Sequence, residues 1–416
     1  MDHTVVNRPS IRTLFITRNL PYPPRGGAPL RNWQNINAMA LFGPVGVFTL
    51  FRGKPNDQTL PGVELWHHYN TIEQPRSRFE KLRRRLWWLR PHGHPLIDWL
   101  YVQVAAQQLD EILKQFQPNL VIFEEMWLYR YLPLVKRYGC SIILDNHNVE
   151  ALRNTPVATH HPITQLRHFW GQIHIKTTER DFIRQVDQIW ACSDQDIQWL
   201  QTLYRPKSHT YTIPNTVDVA QYNQVRSAHN TPSPEQAVPR HTLLFLGQFA
   251  YSSNAVAAEL LINQIYPQLQ TSYPNCRLLL VGTSPTPFMQ AAAYRNPNIV
   301  VTGEVPDVRP YLAAANVMVV PLRQGSGTRL KILEAFAAGC PVVSTAKGAE
   351  GLKAIDGEHL LIRETVDAIA QGVIQLWSNL KLAQLLANAA FELVQEQYSW
   401  RVSCQQIRQA VQQLFS

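Results

Sequence analysis

Pro321–Ser344 reads PLRQGSGTRLKILEAFAAGCPVVS, and its order is strand end, glycine turn, helix, stop, strand. The apolar run before it ends at Pro321, and Gly325-Ser326-Gly327 make a flexible turn. A helix is expected from about Thr328, stopped by Gly339 with Pro341 just beyond. A glycine turn feeding a helix N-terminus presents backbone N–H groups to a phosphate. Arg329 and Lys331 fall in the expected first turn, where the helix dipole disfavours each cation by about 0.3–1 kcal/mol. Two cations set against the dipole so close together point to a compensating anion, which a diphosphate would supply. The alternative is a pairing of Lys331 with Glu334 at i,i+3, with both basic groups merely solvated.

The same alternation extends outward in both directions. Short, nearly continuous apolar runs recur: RTLFITR, VGVFTLF, LVIFEE, SIILDNHN, QIWACS and HTYTIPN in the first half, LLFLG, RLLLVG, NIVVTG, VMVVP, PVVST and HLLIR in the second. Such runs suit strands buried on both faces of a parallel sheet. Helix-length stretches such as Asn254–Leu269 lie between them, so two α/β layers of doubly wound type are expected. NQVRSAHNTPSPEQAVPRH, from Asn223 to His241, has three prolines and no hydrophobic period and reads as a linker. The expected organisation is a domain over 1–225, a linker over 226–241, a second domain over 242–395 and a terminal helix over 396–416. A ligand is expected in the cleft between the domains, at the carboxyl ends of the strands.

Composition sets the class. The chain has 416 residues, 45% of them hydrophobic and 17% charged, which is a globular profile too long for one ordinary core. Apolar runs long enough to span a membrane are absent, and the first residues show no charged-then-apolar leader pattern. Five scattered cysteines lack metal-ligand spacing and read as reduced thiols of a cytoplasmic protein. A net charge of +9 favours anionic partners. Its densest part is Arg76–Arg90, where seven basic residues face one acid and interleave with Phe79, Leu82, Leu86, Trp87, Trp88 and Leu89. This segment reads equally as a peripheral membrane helix at the inner face of an anionic bilayer, as a site for a lipid-linked acceptor, or as a helix with buried tryptophans and solvated arginines. Nucleic-acid binding is not expected, because the cations cluster in one helix without a recognised binding motif. Asp194-Gln195-Asp196 follows Ser193 and reads as a capped helix start rather than a metal motif.

GSGTRLKILEAFAAGCPVVS resembles the nucleotide-sugar signature of glycosyltransferase family 4 and its relatives, retaining enzymes of the GT-B fold. Further matches follow in order along the chain: Gly26-Gly27, His147-Asn148-Val149-Glu150, IPNTVD from Ile213, LLFLGQF, LLLVG and VVTGEVPDVRPYLAAANVMVVP. The resemblance implies an α/β chain with two Rossmann-like doubly wound domains facing a cleft, moving a sugar from a nucleotide-sugar donor to a sugar or lipid-linked acceptor. It implies no cofactor and no metal. It makes His147 and Glu334 the catalytic residues, Glu334 holding the donor ribose. It makes Gly26, Gly27, Gly247, Gly303, Ser326, Gly327, Thr328, Arg329, Leu330, Lys331 and Glu334 the donor-binding set. Two departures are visible: Ser326 stands eight positions before Glu334 where the family carries a first glutamate, and Gly247-Gln248 stands where a basic residue usually follows the glycine. A nucleotide-sugar 2-epimerase and a binding protein that has lost catalysis are the competing readings.

Overall fold

The computed structural model describes residues 10–24, 26–51, 60–71, 78–152, 162–230, 241–325 and 329–416. The chain divides into two compact units, one of Met1–Ile213 with Cys404–Ser416, the other of Pro214–Ser403. Each is built on a parallel sheet.

The first sheet contains β1 (Thr13–Thr17), β2 (Val45–Phe51), β3 (Leu65–Asn70), β4 (Leu120–Glu124), β5 (Ser141–Asn146), β6 (Gln188–Ala191) and β7 (His209–Thr212), in the order β3-β2-β1-β4-β5-β6-β7. All of its pairs are parallel, with Thr13 against both Val45 and Leu120. Leu14, Ile16, Phe48, Phe123 and Leu144 are fully buried, because helices cover both faces and a central strand is apolar along most of its length. β3, LWHHYN, escapes the apolar-run reading. It lies at the sheet edge and is half-buried throughout, so no continuous hydrophobic run is required of it.

The second sheet contains β8 (Thr242–Leu246), β9 (Arg277–Val281), β10 (Ile299–Val301), β11 (Val317–Val320), β12 (Val342–Ser344) and β13 (Leu361–Ile362), in the order β10-β9-β8-β11-β12-β13. Each corresponds to one of the six apolar runs. In both sheets the strand order reverses at one place, between β1 and β4 and between β8 and β11. Those are the points at which crossover loops part and leave a crevice at the carboxyl ends of the strands.

Three expectations need correction. The division between the units precedes the expected linker: Asn223–Asn230 is a helix, and Val217, Tyr222 and Val225 are buried in the second core. Residues 231–240 lie outside the described residues. The expected helix over Asn254–Leu269 is three pieces, Ser252–Leu260, a wider π turn at Leu261–Ile265, and Tyr266–Ser272. Pro267, which has no N–H to return to the preceding turn, sits just beyond the π turn. The helix of the glycine turn is Leu330–Ala338 with Arg329 as its N-cap residue, so Arg329 stands before the first turn rather than inside it. Ser193, by contrast, caps Asp194–Tyr204 by accepting the Asp196 N–H at 3.1 Å, which is the capping reading of that acidic pair. The final helix, Trp400–Leu414, belongs to the first unit from Cys404 on. There Ile407, Ala410 and Val411 are fully buried, and Gln188 Nε2 donates to the Ala410 carbonyl at 2.7 Å.

The turns at the carboxyl ends of β8, β9 and β10 are tied together by backbone hydrogen bonds. Gly247 N–H donates to the Val281 carbonyl at 3.0 Å, and Gly282 N–H to the Gly303 carbonyl at 3.2 Å. Gly282 has φ +143°, and a Cβ added to it would lie 1.8 Å from the Gly247 carbonyl oxygen. A Gly282→Ala variant should therefore lose about 1–3 kcal/mol of stability or more, since backbone rather than a flexible side chain must move. Chemical denaturation measures this, and an unchanged midpoint would refute the packing account.

Candidate active site

In the first unit, the residues that chemistry would use are gathered at the carboxyl ends of β1, β4 and β5. β4 delivers Glu124 and the following Glu125, and β5 delivers Asp145 and the following His147. All four are nearly inaccessible, between 0 and 7% exposed. Burial of so many carboxylates is tolerated only where cations and donors meet them. Arg31, on the helix Gly27–Met39, supplies the first pairing: its Nη2 and Nε lie 2.5 Å and 2.9 Å from Asp145 Oδ1 and Oδ2, and its Nη1 donates to the Ile213 carbonyl at 2.6 Å. Asn35, one turn along, donates to Asp145 Oδ2 at 2.7 Å. Arg18, just past β1, grips Glu125, its Nη2 donating to Oε1 at 3.0 Å.

His147 sits among the acids. Its Nε2 is 2.9 Å from Glu124 Oε2 and 3.3 Å from Asp145 Oδ2, and its Nδ1 is 3.4 Å from Glu125 Oε1. Burial opposes a charged imidazole, but the hydrogen bonds and charges of Asp145 and Glu124 outweigh it and raise His147 to about 9. Burial likewise raises Glu124 to about 7 despite its bond to His147. Asp145 goes the other way: against burial, the Arg31 charge and the His147 contact hold it at about 2. Near neutral pH His147 is thus an imidazolium, a hydrogen-bond donor rather than a general base. Its Nδ1, which faces Glu125 Oε1, is buried and makes no hydrogen bond among the described residues. Glu124, Asp145 and His147 are close enough to ring a cation. Arg31 and Asn35 donate to both oxygens of Asp145.

The loop carrying His147 is fastened from behind. Glu179, fully buried on the helix Pro162–Ile183, accepts from Glu150 N–H at 2.9 Å, Ala151 N–H at 3.2 Å, Asn146 Nδ2 at 3.3 Å and Tyr204 Oη at 2.7 Å. Arg31, Asp145 and Glu179 were not singled out by sequence reasoning. Their one sequence signal is an ionisable residue inside an otherwise apolar run or helix face. Gly26, with φ +83°, is the N-cap residue of the helix Gly27–Met39, and nothing lies within 4 Å of a Cβ placed on it.

In the second unit Lys331 occupies the first turn of the helix Leu330–Ala338. It does not take the alternative i,i+3 pairing with Glu334. Its Nζ donates to Asn254 Oδ1 at 3.0 Å and stands 4.3 Å from the centroid of the Phe245 ring, so it reaches across to the turn that follows β8. Glu334, one turn on, accepts from Tyr222 Oη at 3.1 Å. Both keep a narrow opening to solvent while their charged ends are enclosed. Burial, helped by the neighbouring Arg329 charge, pulls Lys331 down to about 7, and burial pushes Glu334 up to about 7. Arg329 folds back toward Gly325 and donates to the Lys347 carbonyl at 3.4 Å. Gly247 and Gly303 lie in the glycine turns described above, and Leu330 opens the helix. Ser326, Gly327 and Thr328 lie outside the described residues.

Two all-parallel Rossmann-like units, each with its polar side chains at the carboxyl ends of the strands, define the GT-B class of α/β proteins. The model of Glycosyl transferases group 1 matches residues 240–379, and that of Glycosyltransferase Family 4 matches residues 48–221. An uncharacterized 44.6 kDa protein in the cps region of Klebsiella pneumoniae is 21% identical over 334 residues, 76% of this chain and 80% of the relative. Sucrose-phosphate synthase from Thermosynechococcus elongatus superposes with a TM-score of 0.72 at 18% identity, over 97% of this chain and 99% of that one. Anabaena Alr3699/HepE in complex with UDP gives 0.67 at 14%, over 97% and 100%. The chain is a family 4-like glycosyltransferase of the GT-B fold.

Removing one partner of a buried ion pair leaves the other charge uncompensated, at a cost of about 3–5 kcal/mol. Asp145→Asn, which keeps the shape and deletes the charge opposite Arg31, should show a loss of that size in urea unfolding. A loss below about 1 kcal/mol would mean that the pair is not structural.

Proposed function

We propose that the chain transfers a sugar from a nucleoside-diphosphate sugar to a hydroxyl acceptor, with retention at the anomeric carbon and without a metal. The observation that carries this reading is the enclosure of Lys331 at the N-terminus of the helix Leu330–Ala338, with Arg329 before it and Glu334 one turn later. A departing diphosphate needs positive charge and N–H dipoles already in place as its own charge develops. Arg329, Lys331 and the first N–H groups of that helix supply them, and the glycines at 247 and 303 allow backbone to approach phosphate closely. Glu334 is the acceptor for ribose hydroxyls. The imidazolium of His147 is the donor to an oxygen of the transferred sugar.

The position of Lys331 supports a substitution of roles. The family's basic residue after the β8 glycine is Gln248 here, and the Lys331 ammonium lies against that same turn through Asn254 and Phe245. A protonated Lys331 beside bound diphosphate therefore does the work that the missing side chain would do. UDP bound to the structurally similar Alr3699/HepE agrees with a nucleoside diphosphate as the carrier.

We also propose peripheral contact with an anionic membrane. Leu82, Leu86 and Leu89 are 54, 41 and 60% exposed, and Arg83 and Arg85 between them are exposed too. Trp87 packs inward against Gly171, and Arg90 is tied to the buried Asp98, so those two do not take part. On the neighbouring helix Pro162–Ile183, Ile163, Leu166, Phe169 and Trp170 are also exposed. Apolar side chains interleaved with arginine suit a headgroup boundary. Among the described residues no helix is long and apolar enough to cross a membrane.

Two measurements test these readings. Thermal shift with UDP-, GDP-, ADP- and TDP-sugars in EDTA should find one donor that stabilises the chain, by about 2.7 kcal/mol at 100 times its dissociation constant. Arg329→Ala/Lys331→Ala should abolish that shift and lower turnover by about 10²–10³-fold. A donor-dependent reaction unchanged in the double variant would overturn the phosphate assignment. In liposome flotation the chain should rise with vesicles containing anionic lipid and not with neutral ones, and Leu86→Glu/Phe169→Glu should remain at the bottom. Equal partitioning of wild type into both vesicle types would remove the membrane contact.

A further inference from the structure

Tyr222 closes a single 3-10 turn, Val219–Tyr222, at the start of the second unit. The turn is pinned from two sides. Asp218 caps it, its Oδ1 accepting the Ala220 N–H at 3.2 Å and its Oδ2 accepting from Gln221 Nε2 at 3.0 Å. Arg309 Nη1 donates to the Gln221 carbonyl at 3.2 Å, and Arg309 is itself held by Asp307, its Nε standing 2.9 Å from both carboxylate oxygens. The Tyr222 ring is buried in the second core.

A phenylalanine would fill the same place in that core. What tyrosine adds is a hydroxyl, whose burial is unfavourable unless a partner meets it. The partner is Glu334, whose Oε1 accepts from Tyr222 Oη at 3.1 Å. Burial and the Glu334 charge hold the phenol well above its ordinary value, so Tyr222 donates and does not ionise. On Glu334 the same bond works against burial and favours the ionised carboxylate. Glu334 Oε2 takes no hydrogen bond among the described residues and keeps contact with solvent. Glu334 stands three residues after Lys331, on the same face of the helix Leu330–Ala338.

We infer that Tyr222 is a positioning residue for the donor ribose: it fixes Glu334 by one carboxylate oxygen and leaves the other to accept from the ribose hydroxyls. This rests on the reading of Glu334 as the ribose acceptor and adds how that carboxylate is prepared. A carboxylate free to rotate must be ordered when the ligand binds, and that ordering opposes binding. Held by a phenol on a pinned turn, Glu334 is ordered before the ligand arrives. A fixed acceptor then separates nucleotides by their hydroxyls, because a sugar lacking both takes Oε2 from water and gives it no donor in return. Tyr222 touches no part of the ligand in this account and acts through Glu334 alone.

The test is calorimetry on the intact chain with UDP, GDP and ADP and with the 2′,3′-dideoxy form of each. The wild type should bind at least one ribonucleotide about 10- to 100-fold more tightly than its dideoxy counterpart. Tyr222→Phe keeps the ring and removes the hydroxyl. It should lower that preference by about tenfold and leave the dideoxy affinity unchanged, which also reports that the variant is folded. Glu334→Ala should remove the preference, and adding Tyr222→Phe to it should change nothing further. If Tyr222→Phe keeps the full preference, weakens both forms alike, or weakens ribonucleotide binding further in the Glu334→Ala background, the inference is overturned while the ribose reading of Glu334 stands. A wild type that binds ribo and dideoxy forms equally defeats that reading, and one that binds none of the three defeats the donor reading; the inference falls with either.

Discussion

Parallel strands all leave their sheet at the same edge, and everything chemical in this chain follows from that. Successive parallel strands require a crossover through a helix, so each carboxyl end meets a loop and then a helix N-terminus. Residues far apart in sequence are thereby delivered to one edge: Arg18, Glu124 and His147 in the first unit, Gly247, Gly282, Gly303 and Lys331 in the second. Where the strand order reverses, neighbouring crossovers diverge, and the edge becomes a recess rather than a covered surface.

Within the first unit the recess is held open by charge. Arg31 is carried by the helix that follows β1, and Asp145 closes β5, with β4 between those strands in the sheet. Their buried pair therefore fixes helix to sheet across the reversal point. It also sets the protonation of its neighbours: with Asp145 held ionised, the adjacent imidazole stays charged, and Glu124, which lacks the direct Arg31 hydrogen bonds, is the carboxyl that gains a proton first. The second unit uses a different device. There close backbone approach at glycine turns leaves room for a ligand, and a cation is kept poorly solvated, ready to gain more from an anion than an exposed lysine would.

The sequence was informative in proportion to how local the determining physics is. Among the described residues, twelve strands could be read from apolar runs, because a strand covered on both faces is apolar along most of its length. The thirteenth, β3, could not, because edge strands carry no such demand. Gly26 and the Lys331 helix were legible through glycine and capping chemistry that acts over a few residues. The break between units was placed too late, at a proline-rich stretch, because composition marks where a chain is irregular and not which core its flanks join. Tyr222 and Val225 look like linker in the sequence and are core in the fold.

What the sequence by itself determined is the alternation of buried strands and helices, the doubly wound class, and the helix that leads up to Gly339. Those depend on periodicity and on backbone preferences, which act between near neighbours. Tertiary structure alone decided that Lys331 serves the turn after β8 instead of Glu334, and that His147 is an imidazolium among three acids. These depend on burial and on charges brought together from separate strands and helices, and desolvation is a property of position in the fold that no stretch of sequence carries.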